Sequence, residues 1–206
     1  MPLVARTLLK LIDPYLDKMQ HMRRSQFEVA APIDTDLLFL GDSITEYGLW
    51  NEWFPDRAVV NRGIAGDTSQ GVLDRLGHSL GRQRLLFLLI GTNDLTRDVP
   101  LQRIGANVQA IIERCLAGAP GTLLYLQSVT PRAASYRHKV EALNGIYREI
   151  ATATGATFVD LFQILAGNCG EILDRYSADN LHLTGAAYRA WVEVIRPYVD
   201  AEFSHR

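Results

Sequence analysis

Four short polar clusters in this 206-residue chain each follow an apolar run, and each holds a residue type that acyl-transfer chemistry needs. Gly41-Asp42-Ser43-Ile44, after Asp36-Leu37-Leu38-Phe39-Leu40, supplies a hydroxyl. Asn61-Arg62-Gly63-Ile64-Ala65-Gly66-Asp67 follows Ala58-Val59-Val60, and Gly91-Thr92-Asn93-Asp94 follows Leu85-Leu86-Phe87-Leu88-Leu89-Ile90. Asp179-Asn180-Leu181-His182, near the carboxyl end, joins a carboxylate to an imidazole. A serine hydroxyl is a poor nucleophile until a base takes its proton. An imidazole such as that of His182 can accept that proton and return it. Asp179, three residues earlier, can reach Nδ1, fix the tautomer and stabilise the imidazolium. The tetrahedral intermediate places negative charge on the former carbonyl oxygen, so fixed N–H donors aimed there matter greatly. Gly66 can offer its backbone amide with no side chain in the way. Asn93 can offer a side-chain N–H, and the Ser43 amide would be the third donor. Singly, these residues read as a helix cap, turn residues and a surface histidine. Their joint occurrence, in order, carries the chemical reading.

The elements that position them follow from hydrophobic periodicity. Unbroken apolar runs at Asp36–Leu40, Ala58–Val60, Leu85–Ile90, Thr122–Leu126 and Thr157–Leu161 suit strands covered on both faces. Helical patterns separate them. Ile104, Val108, Ile111, Ile112 and Cys115 form one stripe behind Pro100, and Val140, Leu143, Tyr147 and Ile150 form another. A last helix starts after Thr184, a candidate N-cap, and turns Tyr188, Trp191, Val192 and Ile195 inward, with Pro197 expected to kink or end it. Five alternations of strand and helix predict a three-layer α/β fold with a parallel sheet, in which ligands bind outside the carboxyl ends of the strands. Strand order is not legible from periodicity. Ser43 would sit where the chain leaves the first strand for a helix. Trp50, Trp53 and Phe54, on that same helix, read as core residues, with a wall of an acyl pocket as their other use. Residues 1–206 read as one domain, with 1–30 a helical arm. The arm's stripe of Leu8, Leu11, Ile12, Tyr15 and Met19 is expected to pack on its own domain, a second subunit being the alternative.

Composition narrows the function. The net charge is −2 with no long block of one sign, which favours neither nucleic acid nor an anionic membrane. Cys115 reads as a buried free thiol, and Cys169 lies in a glycine-flanked loop with no assigned role. The amino terminus lacks the pattern of a secretory signal and no run would span a bilayer, so a soluble cytoplasmic protein is expected. Asp67 and Asp94 adjoin the chemical clusters and are expected to anchor loops, as is Asp42 if it does not meet substrate. Arg132, at the end of the fourth strand, is placed at the rim of the crevice, either holding an anionic group or simply solvated. His78 and His138 read as surface residues.

Together the blocks Gly41-Asp42-Ser43, Gly66 within Asn61–Asp67, Gly91-Thr92-Asn93-Asp94 and Asp179-Asn180-Leu181-His182 resemble the SGNH (GDSL) hydrolases. That flavodoxin-like superfamily contains esterases and lipases. The resemblance runs from about residue 35 to the end. It implies Ser43 as nucleophile, His182 as base oriented by Asp179, and Gly66, Asn93 and the Ser43 amide as oxyanion donors. It also implies a five-stranded sheet in the order 2-1-3-4-5, with neither metal nor organic cofactor. Gly63-Ile64-Ala65-Gly66-Asp67-Thr68 and Leu181-His182-Leu183-Thr184-Gly185 look like the platelet-activating-factor acetylhydrolase α-subunit branch, many of whose bacterial members cleave short acyl groups, often acetyl. The expected activity is therefore a serine esterase acting on a small-molecule ester. The alternatives are an acyltransferase and, in another class, a non-catalytic flavodoxin-like binding module. A nucleotide site is excluded because Gly41-Asp42-Ser43-Ile44-Thr45 lacks the Gly-x-Gly-x-x-Gly pattern.

Overall fold

The computed structural model describes residues 3–30 and 34–204, with side chains described from residue 14 onward. Strands β1 (Thr35–Gly41), β2 (Val59–Gly63), β3 (Gln83–Leu89), β4 (Leu123–Gln127) and β5 (Thr157–Val159) form one sheet in the order β2-β1-β3-β4-β5. Every pairing is parallel, with Leu37 beside Val59 and Leu85, and Phe87 beside Tyr125. Successive side chains of a strand point to opposite faces, so each apolar run divides between two layers. Leu38, Leu40, Leu86, Leu88 and Leu126 pack against α6 (Leu101–Gly118) and α7 (Arg137–Thr154). Leu37, Phe39, Leu85, Phe87 and Tyr125 face α3 (Trp50–Trp53) and α9 (Gly185–Phe203). Burial on both faces is why these strands read as unbroken rather than alternating.

The inward residues foreseen for α6, α7 and α9 are all buried. Four details differ from the sequence reading. Asn61, Arg62 and Gly63 continue β2 instead of following it, because Phe39, Leu40 and Gly41 offer them a ladder. Trp50 lies on its own short helix, since α2 (Ser43–Glu46) ends after one turn. Thr184 holds the N-cap position of α9, but its hydroxyl donates to Arg175 O at 2.7 Å rather than capping the helix. Pro197 falls inside α9, which runs on to Phe203, so of the two expected effects it does not end the helix.

The amino-terminal arm is α1 (Leu3–Val29). The side chains of Leu8, Leu11 and Ile12 lie outside the described residues. Tyr15 and Met19 are 64% and 43% exposed, so that part of the expected stripe does not pack inward. The helix docks instead through the adjoining face. Phe27 is buried beneath the guanidinium of Arg62, 4.5 Å from its ring centroid, and Gln20 and Arg24 bond to the loop after β2. Spacings of three and four put these residues on one face.

An aromatic stack anchors the second layer. The Trp50 and Phe39 rings stack with centroids 3.9 Å apart and planes nearly parallel, and the Phe39 and Phe87 centroids are 5.1 Å apart. The Trp50 indole N–H also donates to Thr45 O at 2.8 Å, joining the stack to the turn that carries Ser43. Trp50 and Phe54 are buried and Trp53 is half-buried, as the core reading expects. Trp50→Ala should cost about 3–5 kcal/mol, the usual loss on truncating a buried aromatic, with Trp50→Phe losing less. Urea unfolding followed by circular dichroism checks both.

Candidate active site

The order β2-β1-β3 makes the carboxyl end of β1 a switch point, with one neighbouring strand continuing on each side, and such points open a crevice. The loops after β1, β2 and β3 meet there. Gly41 ends β1, and a Cβ at that position would lie 2.2 Å from Leu89 O and 2.3 Å from the Thr45 hydroxyl. Only glycine lets the chain fold back this tightly. Asp42 then caps α2, its Oδ1 accepting from Ile44 N–H at 3.0 Å, and Ser43 opens the helix.

The Ser43 hydroxyl lies 3.1 Å from His182 Nε2, although 139 residues separate the two. His182 Nδ1 lies 2.7 Å from Asp179 Oδ2. The other carboxylate oxygen of Asp179 accepts from Ser177 Oγ (3.1 Å), Leu181 N (3.0 Å) and His182 N (2.7 Å). Asn180 between them adopts φ +61°, a left-handed conformation that asparagine tolerates. Partial burial disfavours the Asp179 anion, but the bonds from the His182 ring, His182 N–H and Leu181 N–H outweigh it and hold the carboxyl at about 2. Asp179 is thus an anion facing His182 throughout the neutral range.

The loop after β2 closes in a tight turn, Asp67 N–H donating to Ile64 O at 3.1 Å. Gly66 is its third residue at φ +75°, a position that calls for glycine. The Gly66 N–H has no acceptor among the described residues. The flanking residues are pinned: Ala65 N donates to Glu46 Oε2 (2.7 Å), and Ala65 O accepts from Gln20 Nε2 (3.0 Å). Asn93, in the first turn of α5 (Thr92–Thr96), donates one side-chain N–H to Asp67 O at 2.9 Å, which leaves the other unspent.

Beneath these groups lies a buried charged layer. The Asp67 carboxylate accepts from Arg75 Nε (2.6 Å) and from Arg24 (3.2 Å). Arg75 also donates to Ser79 Oγ and to the carbonyls of Gly41 and Arg62, the ends of β1 and β2. Asp94 accepts from Ser69 N (2.9 Å) and Ser69 Oγ (2.7 Å), and burial still raises its carboxyl. Arg132 is not at the rim. It is 8% exposed, lies over the Tyr136 ring at 3.9 Å, and donates to Thr92 O and Thr96 Oγ1, so it props α5 from behind. His78 and His138 are exposed and Cys115 is a buried free thiol.

Arg75, Arg24, Gln20, Glu46 and Ser177 escaped the sequence reading. Ser177 had a usable signal, a hydroxyl two residues before an acid in a loop. Arg75 had a weaker one, a lone cation between Leu73 and Leu76. The arm residues had none, because nothing local announces which loop a distant helix will meet.

Architecture and site define a flavodoxin-like α/β hydrolase. The model of the GDSL-like lipase/acylhydrolase family matches residues 39–190, and the chain belongs to that family, an enzyme class that cleaves carboxylic esters. The platelet-activating factor acetylhydrolase IB subunit alpha2 of Rattus norvegicus is 25% identical over 166 residues, spanning 75% of this chain and 72% of that one. A solved structure named for platelet activating factor, from Streptococcus pneumoniae, matches with TM-score 0.86 at 30% identity, over 94% of this chain and 99% of that chain. An acetylxylan esterase from Geobacillus stearothermophilus matches with TM-score 0.64 at 18% identity, over 80% and 94% of the two chains, a likeness of fold alone.

Asp42 generates a test of its own. It is fully buried, and its Oδ2 has no partner among the described residues. Burial pushes its carboxyl up to about 7, the Ile44 N–H opposing and the Asp67 and Asp94 carboxylates adding to the rise. The unfolded chain releases this proton near 3.8, while the folded chain keeps it until about 7. The folded state therefore holds the extra proton between those values, and stability falls as pH rises through that window. Asn at position 42 keeps an oxygen for Ile44 N–H and has no proton to lose. The fall in unfolding free energy between pH 5 and pH 8 should shrink by about 2–3 kcal/mol in Asp42→Asn. Urea titrations of both proteins at the two pH values measure it, and equal falls would show that Asp42 is ionised at both.

Proposed function

We propose that this chain is a serine esterase that hydrolyses carboxylic esters of short acyl groups, chiefly acetyl. The observation that carries the reading is the continuous relay from the Ser43 hydroxyl through His182 to the Asp179 anion, at 3.1 and 2.7 Å. His182 Nε2 takes the Ser43 proton as Oγ bonds to the ester carbonyl carbon, and the C=O pair moves onto oxygen. The Ser43 amide, the Gly66 amide and the free Asn93 N–H receive that oxyanion. The pair returns, the C–O bond to the alcohol breaks, and His182 gives its proton to the departing oxygen. Water, deprotonated by His182, then attacks the acyl-serine by the same route and releases the acid and free Ser43. Asp179 stays ionised and holds the ring.

The acetyl preference is supported by the acetylhydrolase name of the relatives. Hydrolysis is favoured over acyl transfer because the His182 and Asp179 side chains are 38% and 53% exposed, leaving the base open to water. Residues 1–206 act as one catalytic domain with the first 30 as its arm. Both cysteines are free, which suits a reducing, cytoplasmic setting.

The α2 cap rests on Asp42, so Ser43→Ala should leave the fold intact while ester turnover drops about 10³-fold or more. A serine-directed phosphonate should label wild type at Ser43 and leave the variant unlabelled. Near-wild-type turnover by folded Ser43→Ala would overturn the assignment.

Asn93→Ala separates an oxyanion donor from a substrate-binding group. A donor used only once charge has developed should lower kcat about 10²-fold with little change in KM. A rise in KM alone would make Asn93 a ground-state contact. Steady-state kinetics on p-nitrophenyl acetate distinguishes the two.

A further inference from the structure

Where α1 crosses the mouth of the crevice it leaves a cavity of about 560 Å³. Tyr15, Leu16, Met19 and Met22 of α1 form one side, and Tyr47 and Ile64 face them. Several of these side chains are apolar and solvent-facing: Tyr15 is 64% exposed, Met22 50% and Tyr47 54%. A contiguous exposed apolar surface on a soluble domain marks a place where something binds. Among the described lining residues only Arg23 and Glu46 carry charge, and they face each other at 3.4 Å. The Glu46 carboxylate is further occupied by Ala65 N–H, and Arg23 lies over the Phe27 ring. Each therefore has its opposite charge already beside it, which disfavours a charged head group.

The groove is continuous with the reacting centre on one side. The Tyr47 ring lies 5.6 Å from the His182 imidazole, centroid to centroid. Ala65, on the groove wall, directly precedes Gly66. In the mechanism above, His182 is the group that hands a proton to the departing alcohol. A chain attached to that alcohol oxygen leaves the centre past His182 and Tyr47, and so enters the groove.

Resting on that esterase reading, we propose that the groove between α1 and α2 binds the apolar tail of the alcohol moiety, so that the preferred substrates are short-acyl esters of uncharged alcohols bearing alkyl or arylalkyl chains. The arm is then part of the substrate site. Unbranched, pliable methionine side chains suit a surface that accepts tails of different shape.

Two ester series test this. In one the acyl group is acetyl and the alcohol lengthens from methyl to hexyl. In the other the alcohol is methyl and the acyl group lengthens over the same range. Each methylene moved from water to an apolar surface favours the complex severalfold when fully covered. In wild type, kcat/KM should therefore rise at least about tenfold along the alcohol series and not along the acyl series. Met19→Asp and Met22→Asp place a carboxylate in the groove at positions already open to solvent, where folding tolerates it. Each should cut the hexyl acetate to methyl acetate ratio of kcat/KM about tenfold. A rise along the acyl series that these variants abolish would overturn the proposal by showing that the groove takes the acid side. Insensitivity of both ratios would overturn it outright. A change in oligomeric state by sedimentation, with the ratios unaltered, would make the methionine stripe a contact between copies instead. Loss of turnover on every ester in Ser43→Ala tests the underlying esterase reading separately, since the groove variants are judged by ratios.

Discussion

The buried ion pair between Asp67 and Arg75 is the contact on which the site's geometry depends. The side chains are 1% and 5% exposed, and each guanidinium nitrogen of Arg75 has an acceptor: the Asp67 carboxylate, the Ser79 hydroxyl, and the carbonyls of Gly41 and Arg62 at the ends of β1 and β2. A charge taken out of water is costly unless it is paired and its remaining hydrogen bonds are filled. Here one guanidinium meets that condition only if β1, β2 and the loop after β2 are in one arrangement. The price of desolvation thereby selects a single position for Gly41 and Asp67. Asn93, bonded to Asp67 O, and Gly66, which immediately precedes Asp67, inherit that position.

A second set of contacts reaches the same loop from outside. Gln20 holds Ala65 O, Arg24 holds the Asp67 carboxylate, and Arg23 faces the Glu46 that holds Ala65 N. The turn that carries Gly66 is gripped on both flanks by side chains from α1 and α2, which precede it in the chain. A left-handed residue in a four-residue turn has few bonds of its own to restrain it. On the proposed mechanism the Gly66 amide faces a developing charge, and being fixed beforehand spares it any reorganisation. The arm therefore supplies both stiffness to this loop and one wall of the adjoining groove.

What was legible in the sequence was whatever depends on local period or on residue type. Leu37–Leu40 and Leu85–Ile90 announced two-sided burial by their lack of alternation, and Ile104, Val108, Ile111 and Ile112 announced a helix face. Ser43, Gly66, Asn93, Asp179 and His182, each ordinary in a turn or loop when taken alone, stood out because they occur together and in order along the chain. The misses have a common origin in partners distant along the chain. Asn61 and Arg62 look like loop residues until β1 offers them a ladder. Tyr15 and Met19 look like an inward stripe until the helix turns its Gln20, Arg24 and Phe27 face to the loop instead. Arg132 looks solvated until Tyr136 and the α5 carbonyl close over it.

Two aspartates at the same crevice show how environment assigns roles to identical groups. Asp179 is half exposed, and ring and backbone N–H groups converge on both its oxygens, so it remains an anion to about pH 2. Asp42 sits adjacent to Ser43 with one oxygen capping a helix and the other unpartnered in a dry interior that already holds Asp67 and Asp94, so it keeps its proton to about pH 7. On the proposed mechanism, an anion at Asp42, next to Ser43 in the chain, would oppose charge developing on the substrate oxygen. The Asp179 anion lies on the Nδ1 side of His182, away from Ser43, where on the proposed mechanism it favours the imidazolium. Two identical groups flanking one crevice are thus held about five pKa units apart, and on the proposed mechanism the fixed negative charge lies behind the base.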